Sequence, residues 1–317
     1  MQANPRKFLT ACLAGCALLI AAAVVYSRRY ALAPAVAIPV VVAILIEFIL
    51  YLATGFREIR ERFTPPLIVA SALVPYLVYS IPTGQFRLPS FLLLAALVAG
   101  IAYWYVVLPA IWWADLLFVV YVPAILLSRV LKDTIYILPV RHVQAHVVLG
   151  HAMLIHTAVM AILNVRKFEG IGYGFIPTKT EILVGVKNFL FFVPFGAALG
   201  LSLHIFKYRG QSPWLAPVLM VGYFWMVALS EELAFRGVLF QTLLRLIRNR
   251  YAALAISSVA FGFVHIWFPG GFPNWRMMLL ATVAGWFYGR AFEQGGGIRA
   301  AMVTHAITVT VWLIWLA

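Results

Sequence analysis

The chain has 317 residues, of which 64% are hydrophobic and 11% charged, with 24 Lys and Arg against 10 Asp and Glu. That balance excludes an ordinary soluble globular domain and asks for lipid as solvent. The basic excess falls in short turns between apolar runs, the pattern of membrane flanks, so no nucleic-acid partner is expected.

Apolar runs near the roughly 20 residues that a helix needs to cross the hydrocarbon core recur along the whole chain. Candidate spans begin near Phe8, Ala31, Pro65, Ser90, Ala110, Val143, Ile182, Pro213, Ala252, Arg276 and Ile298, about eleven in all. The runs are continuously apolar rather than alternating, which predicts an all-α polytopic transmembrane helical bundle with almost no strand. Lys and Arg lean to the N-terminal side of that topology, predicting a cytoplasmic N-terminus. The first span holds both cysteines, Cys12 and Cys16. Leu13-Ala14-Gly15-Cys16 matches a bacterial lipoprotein-processing pattern, yet the apolar run continues through Tyr26, so an uncleaved helix is expected.

The second span contains a lone acid, Glu47, for which a proton or ion pathway and a neutral, hydrogen-bonded structural role both stand. Arg57 to Arg62 reads as a juxtamembrane turn with Glu58 and Arg62 paired at i,i+4. Trp104, Trp112, Trp113 and Trp214 suit aromatic belts, and Asp115 is placed near a span end where it reaches the interface. His142, His146, His151 and His156 cluster before and within the sixth span. They share no consistent face and have no carboxylate companion, so interhelical hydrogen bonding is expected over haem or metal ligation. The stretch from Arg166 to Glu181, with Gly170, Gly172, Gly174 and Pro177, is the clearest interruption. It divides N-terminal helices over 1–165, of unassigned role, from a C-terminal module over 166–317.

A charge at the centre of a membrane helix costs about 3 kcal/mol, and the chain concentrates that cost in Ser230-Glu231-Glu232-Leu233-Ala234-Phe235-Arg236. Glu232 and Arg236 stand one helical turn apart and can pair, while Glu231 points elsewhere without a sequence-local partner. A buried Glu/Arg pair that fixes packing without chemistry is one reading of this segment. His265, ending one span, and His305, inside the last, favour another: a glutamate and two histidines on three helices that activate one water. In a metal-free version Glu231 and His265 remove the water's proton and His305 stabilises the oxyanion. In a metal version His265, His305 and one glutamate ligate zinc. The spacing leaves both open, and the single-helix H-E-x-x-H arrangement is absent.

Glu231-Glu232-x-x-x-Arg236, then Phe261-x-x-x-His265, then His305 resembles the motif order of the CAAX prenyl endopeptidase type II family, including its bacterial Abi branch of intramembrane metalloproteases. Ser257, Ser258, Gly285 and Gly289 add context, and the resemblance covers roughly residues 181–317. It implies a helical core opening a hydrophilic cavity within a bacterial cytoplasmic membrane, where a membrane-associated protein or peptide, prenylated or not, is cleaved. It also implies that Glu231 is the base, His265 its water-positioning partner and His305 an oxyanion stabiliser, with Glu232 and Arg236 in support. Membrane lipid and a protein substrate are the expected partners. The family usually continues the third motif as H-x-x-x-N, where this chain has Val309, with Thr308 one residue away around the helix. That departure favours the alternative of a weak or inactive member acting as a membrane scaffold or immunity-type protein.

Overall fold

The structure is a computed structural model that describes residues 5–316 except 139, 141, 142, 145, 209, 269 and 270. It is 80% helical, and the described residues include no strand. The long helical elements are α1 (Pro5–Arg29), α2 (Pro34–Ala53), α3 (Pro65–Ser80), α4 (Leu88–Val107), α5 (Trp112–Leu127) and α6 (Val147–Val165). They continue with α7 (Lys179–Ser202), α8 (Pro213–Ile247), α9 (Arg250–Trp267), α10 (Trp275–Gly295) and α11 (Ile298–Leu316). Eight of these, α1, α2, α4, α6, α7, α8, α9 and α11, are long and apolar enough to cross a membrane, and the protein is an integral membrane protein. The apolar helices α3 and α5 have 16 residues each. The 21-residue α10 carries Arg276, Arg290 and Glu293 and is not among the eight.

Contacts gather into two compact units, Met1–Phe168 and Glu169–Ala317. In the first, Ile68 of α3, Ala102 of α4 and Met160 of α6 form a fully buried core. The continuous α1 contains Cys12 and Cys16 as free thiols.

Two polar expectations are corrected in this unit. Asp115 does not reach an interface: it is 2% exposed and accepts both Arg166 Nε at 2.8 Å and Arg166 Nη2 at 2.9 Å. A buried carboxylate needs such a partner, and the bidentate fork of Arg supplies it. At the juxtamembrane turn the ion pair formed is Arg57 with Glu61, at 2.7 Å, rather than Glu58 with Arg62. The helix there covers Arg57–Arg60, so the earlier pair spans the ordered turn and the later one runs past its end. His142 and the side chain of His146 lie outside the described residues. His156 makes the interhelical hydrogen bonds expected of it, to Glu47 and Ser71, and the expected lack of a carboxylate companion is corrected here, because Glu47 of α2 folds against it.

In the second unit, the polar interruption ends in a capping box at the start of α7. Thr178 N donates to Glu181 Oε2 at 2.6 Å and Glu181 N to Thr178 Oγ1 at 3.3 Å, while Glu181 Oε1 receives Arg299 Nη2 at 2.7 Å. The N-terminus of α7 is thereby tied to the first turn of α11. Gly172 sits at φ +62, and a Cβ there would meet the Gly297 Cα at 2.4 Å, so the loop lies directly on the α10–α11 turn. Helices α9 and α10 approach as closely at Gly262, where a Cβ would stand 1.9 Å from Thr282 Oγ1 and 2.5 Å from the Met278 carbonyl oxygen.

Candidate active site

Within α8 the backbone widens twice, into π-helical turns over Tyr223–Ala228 and Leu233–Phe240, leaving the α-helical turn Leu229–Glu232 between them. Such wide turns re-aim side chains and occur often at functional sites. The α-helical turn between the two carries Glu231 and Glu232.

Glu232 is fully buried and Arg236 is 1% exposed. Arg236 Nη1 donates to Glu232 Oε1 at 3.1 Å, and Nη2 donates to the Gly285 carbonyl of α10 at 2.9 Å. The guanidinium lies 4.4 Å from the centre of the Phe261 ring and 5.4 Å from that of Tyr288. Lipid would make this charge prohibitive, and a carboxylate, a carbonyl and two aromatic faces compensate it. Gly285 leaves the room: a Cβ there would stand 3.0 Å from Arg236 Nη2.

His305 of α11 joins the two acids. Its Nδ1 lies 2.8 Å from Glu232 Oε1, and its Nε2 lies 3.8 Å from Glu231 Oε2. Glu232 Oε1 already accepts from Arg236, so it acts toward His305 as an acceptor and Nδ1 carries the hydrogen. That fixes the tautomer and turns Nε2 toward Glu231, whose side chain is 32% exposed and links the buried chain of groups to the surface. A gap of 3.8 Å is too long for a direct hydrogen bond and suits a bridging water. The sequence identified the Glu232–Arg236 pair, but not that Glu232 reaches His305.

His265 stands apart from this row. It closes α9, its Nδ1 is 2.8 Å from the Phe261 carbonyl, and its ring stacks on Phe268. The Phe261 ring touches both histidines, with centroids 4.7 Å from His265 and 5.7 Å from His305. The structure thus brings Glu231, Glu232, Arg236 and His305 together and sets His265 beside them across Phe261.

His265 has Nδ1 on a backbone carbonyl and His305 has Nδ1 on a carboxylate, so the Nε2 of each is turned away from those partners. Among the described residues no three His, Cys, Asp or Glu side chains are grouped to hold a metal.

Tyr288 is the residue that the motif reading missed. Its ring stacks on His305 at 4.6 Å. Thr308, one turn from Thr304, donates its hydroxyl to the Thr304 carbonyl at 2.8 Å. Val309, where the third motif usually has an amide, is half-buried. Two cavities of about 500 and 490 Å³ in this unit are lined by residues other than Glu231, His265 and His305.

Residues 212–311 match the family model described as Rce1-like, type II CAAX prenyl endopeptidase. No curated protein and no solved structure matches the chain.

Proposed function

Since residues 212–311 match the family model described as Rce1-like, type II CAAX prenyl endopeptidase, we propose that this protein is an intramembrane endopeptidase that uses Glu231 and His305 to activate water without a metal. The observation that carries this reading is the 3.8 Å gap between Glu231 Oε2 and a His305 Nε2 whose tautomer is set by Glu232.

In this mechanism a water sits in that gap. Glu231 takes its proton as the hydroxide oxygen attacks the scissile carbonyl carbon, and His305 Nε2 holds the water on line. The carbonyl oxygen becomes an oxyanion, for which the Tyr288 hydroxyl, on the ring stacked against His305, is the donor. Glu231 returns its proton to the departing amine nitrogen, so proton and bond changes balance. Glu232 and Arg236 hold His305 in place and do not touch substrate.

The substrate class is a protein or peptide associated with the membrane, prenylated or not, and the setting is a bacterial cytoplasmic membrane with its lipid as the second partner. Val309 favours a second reading, a scaffold or immunity-type protein that binds in the same place without cleavage. Quantitative proteomics of native membranes, wild type against Glu231→Ala, tests the choice. A membrane protein whose cleaved form disappears in the variant supports the protease. Identical fragment patterns overturn it in favour of the scaffold.

A further inference from the structure

The N-terminal unit buries a second constellation of polar groups. Glu47 Oε1 of α2 lies 2.5 Å from Nδ1 of His156 on α6, and His156 Nε2 lies 3.0 Å from Ser71 Oγ on α3. The three residues are 2%, 0% and 7% exposed. At about 1.5 Å rise per residue, Glu47 and Ser71 each stand about 9 Å inside the nearer end of their helices.

The order of groups is that of a serine–histidine–acid triad, but the protons are placed differently. Ser71 Oγ lies 2.7 Å from the Ile68 carbonyl, which takes the single hydroxyl hydrogen. His156 Nε2 must then donate to Ser71, and one further proton lies between Nδ1 and Glu47. Whether that proton sits on the acid or on the ring, the pair is net neutral, as a low-dielectric interior favours. A hydrolytic triad would instead have Ser71 donate to Nε2 and Nδ1–H donate to Glu47, leaving an uncompensated negative charge in the span. The two arrangements differ by one proton and a rotation of one hydroxyl.

A second observation points to exchange of that proton. Glu47 Oε2 and the Tyr136 hydroxyl are both buried without a hydrogen-bond partner, and Glu47 acts electrostatically on Tyr136. An unclaimed acceptor on Glu47 and an unclaimed donor on Tyr136 are thus both buried in this unit.

We propose that Glu47, His156 and Ser71 form a proton-binding site in the N-terminal unit, loaded with one shared proton and discharged by rotation of the Ser71 hydroxyl from Ile68 to His156. On discharge the proton passes to water, Nδ1–H meets the Glu47 carboxylate, and the Tyr136 hydroxyl turns to Oε2. Titratable groups on the elements packed around the site include Cys12 and Cys16 of α1, Tyr51 of α2, Tyr76 and Tyr79 of α3, Tyr103 and Tyr105 of α4, Asp115 and Tyr121 of α5 and His151 of α6, with Tyr136 between α5 and α6. The proposal does not depend on the protease reading.

The test counts protons released by the full-length protein in nanodiscs as pH is raised, with infrared detection of protonated carboxyl groups and nitrogen-15 spectra of labelled histidine. Wild type releases one proton per chain more than Glu47→Gln, and His156 changes its signals in the same step. Ser71→Ala changes the pH of that step, because Ser71 accepts from Nε2 in the loaded state and donates to it in the discharged state. Equal proton counts in wild type and Glu47→Gln overturn the proposal. So do His156 signals in the wild type that stay constant through the titration, a result that needs no variant to fold.

Discussion

His305 Nδ1 and Glu232 Oε1 meet at 2.8 Å across 73 residues of sequence, on the same oxygen that Arg236 Nη1 reaches at 3.1 Å. One buried carboxylate oxygen therefore serves two cation-capable partners from different helices. Glu232→Gln removes the charge that both require, and breaking a buried pair from one side costs about 3–5 kcal/mol. We expect a large fall in thermal stability in detergent for Glu232→Gln. Glu231→Gln, at the exposed end of the row, is expected to keep wild-type stability while losing cleavage. Equal melting temperatures for the two variants would refute this division of roles.

Tyr288 and Val309 are expected to affect rate more than folding. Loss of one preorganised oxyanion donor slows acyl transfer by roughly 10²–10³. Tyr288→Phe keeps the ring stacked on His305 and removes the hydroxyl, so turnover of a substrate identified by proteomics should fall by about that factor with KM little changed. Val309→Asn offers an amide in the position that the third motif usually fills, and should raise turnover in wild type while doing nothing beside Glu231→Ala. Unchanged turnover in Tyr288→Phe would assign the donor to another group.

Gly262 tests the packing of α9 on α10. The added methyl of Gly262→Ala meets the Met278 carbonyl oxygen at 2.5 Å, a backbone atom that cannot rotate away. Overpacking of this kind costs about 1–3 kcal/mol. A lowered melting temperature is expected, with a loss of activity because Phe261 and His265 lie on the displaced helix. An unaltered melting curve would show that the two helices separate freely.

The Asp115–Arg166 fork gives the N-terminal unit a separate handle. Asp115→Asn leaves Arg166 without its carboxylate, at a cost of about 3–5 kcal/mol if the guanidinium stays buried and less because Arg166 is 16% exposed. Limited proteolysis should expose sites within residues 1–168 before sites in the C-terminal unit. Simultaneous cleavage of both would contradict the expectation.

The helices were legible because membrane spans are written in composition: apolar runs starting near Pro65, Pro213 and Ile298 begin helices at those residues. The Glu232–Arg236 pair was legible as well, since one helical turn is a local distance. Contacts between distant segments were not. Nothing in the sequence joins Glu232 to His305, Asp115 to Arg166, or Glu47 to a histidine 109 residues later. The wide turns of α8 were equally hidden, because a fixed angle per residue assumes the regular helix that they interrupt. The capping box at Thr178-x-x-Glu181 had a readable signature, masked by its setting among glycines that suggested only a boundary.

The partners of Arg236 also have an order of birth. The ribosome completes α8 before Phe261, Gly285, Tyr288 or His305 has been made, so a nascent α8 entering the bilayer meets its guanidinium with one companion already at hand, Glu232. A self-neutralised turn lowers the toll of partitioning a lone cation, about 3 kcal/mol at mid-span, during the interval before the later helices arrive. The carboxylate that later orients an imidazole thus serves first as a built-in escort for biogenesis.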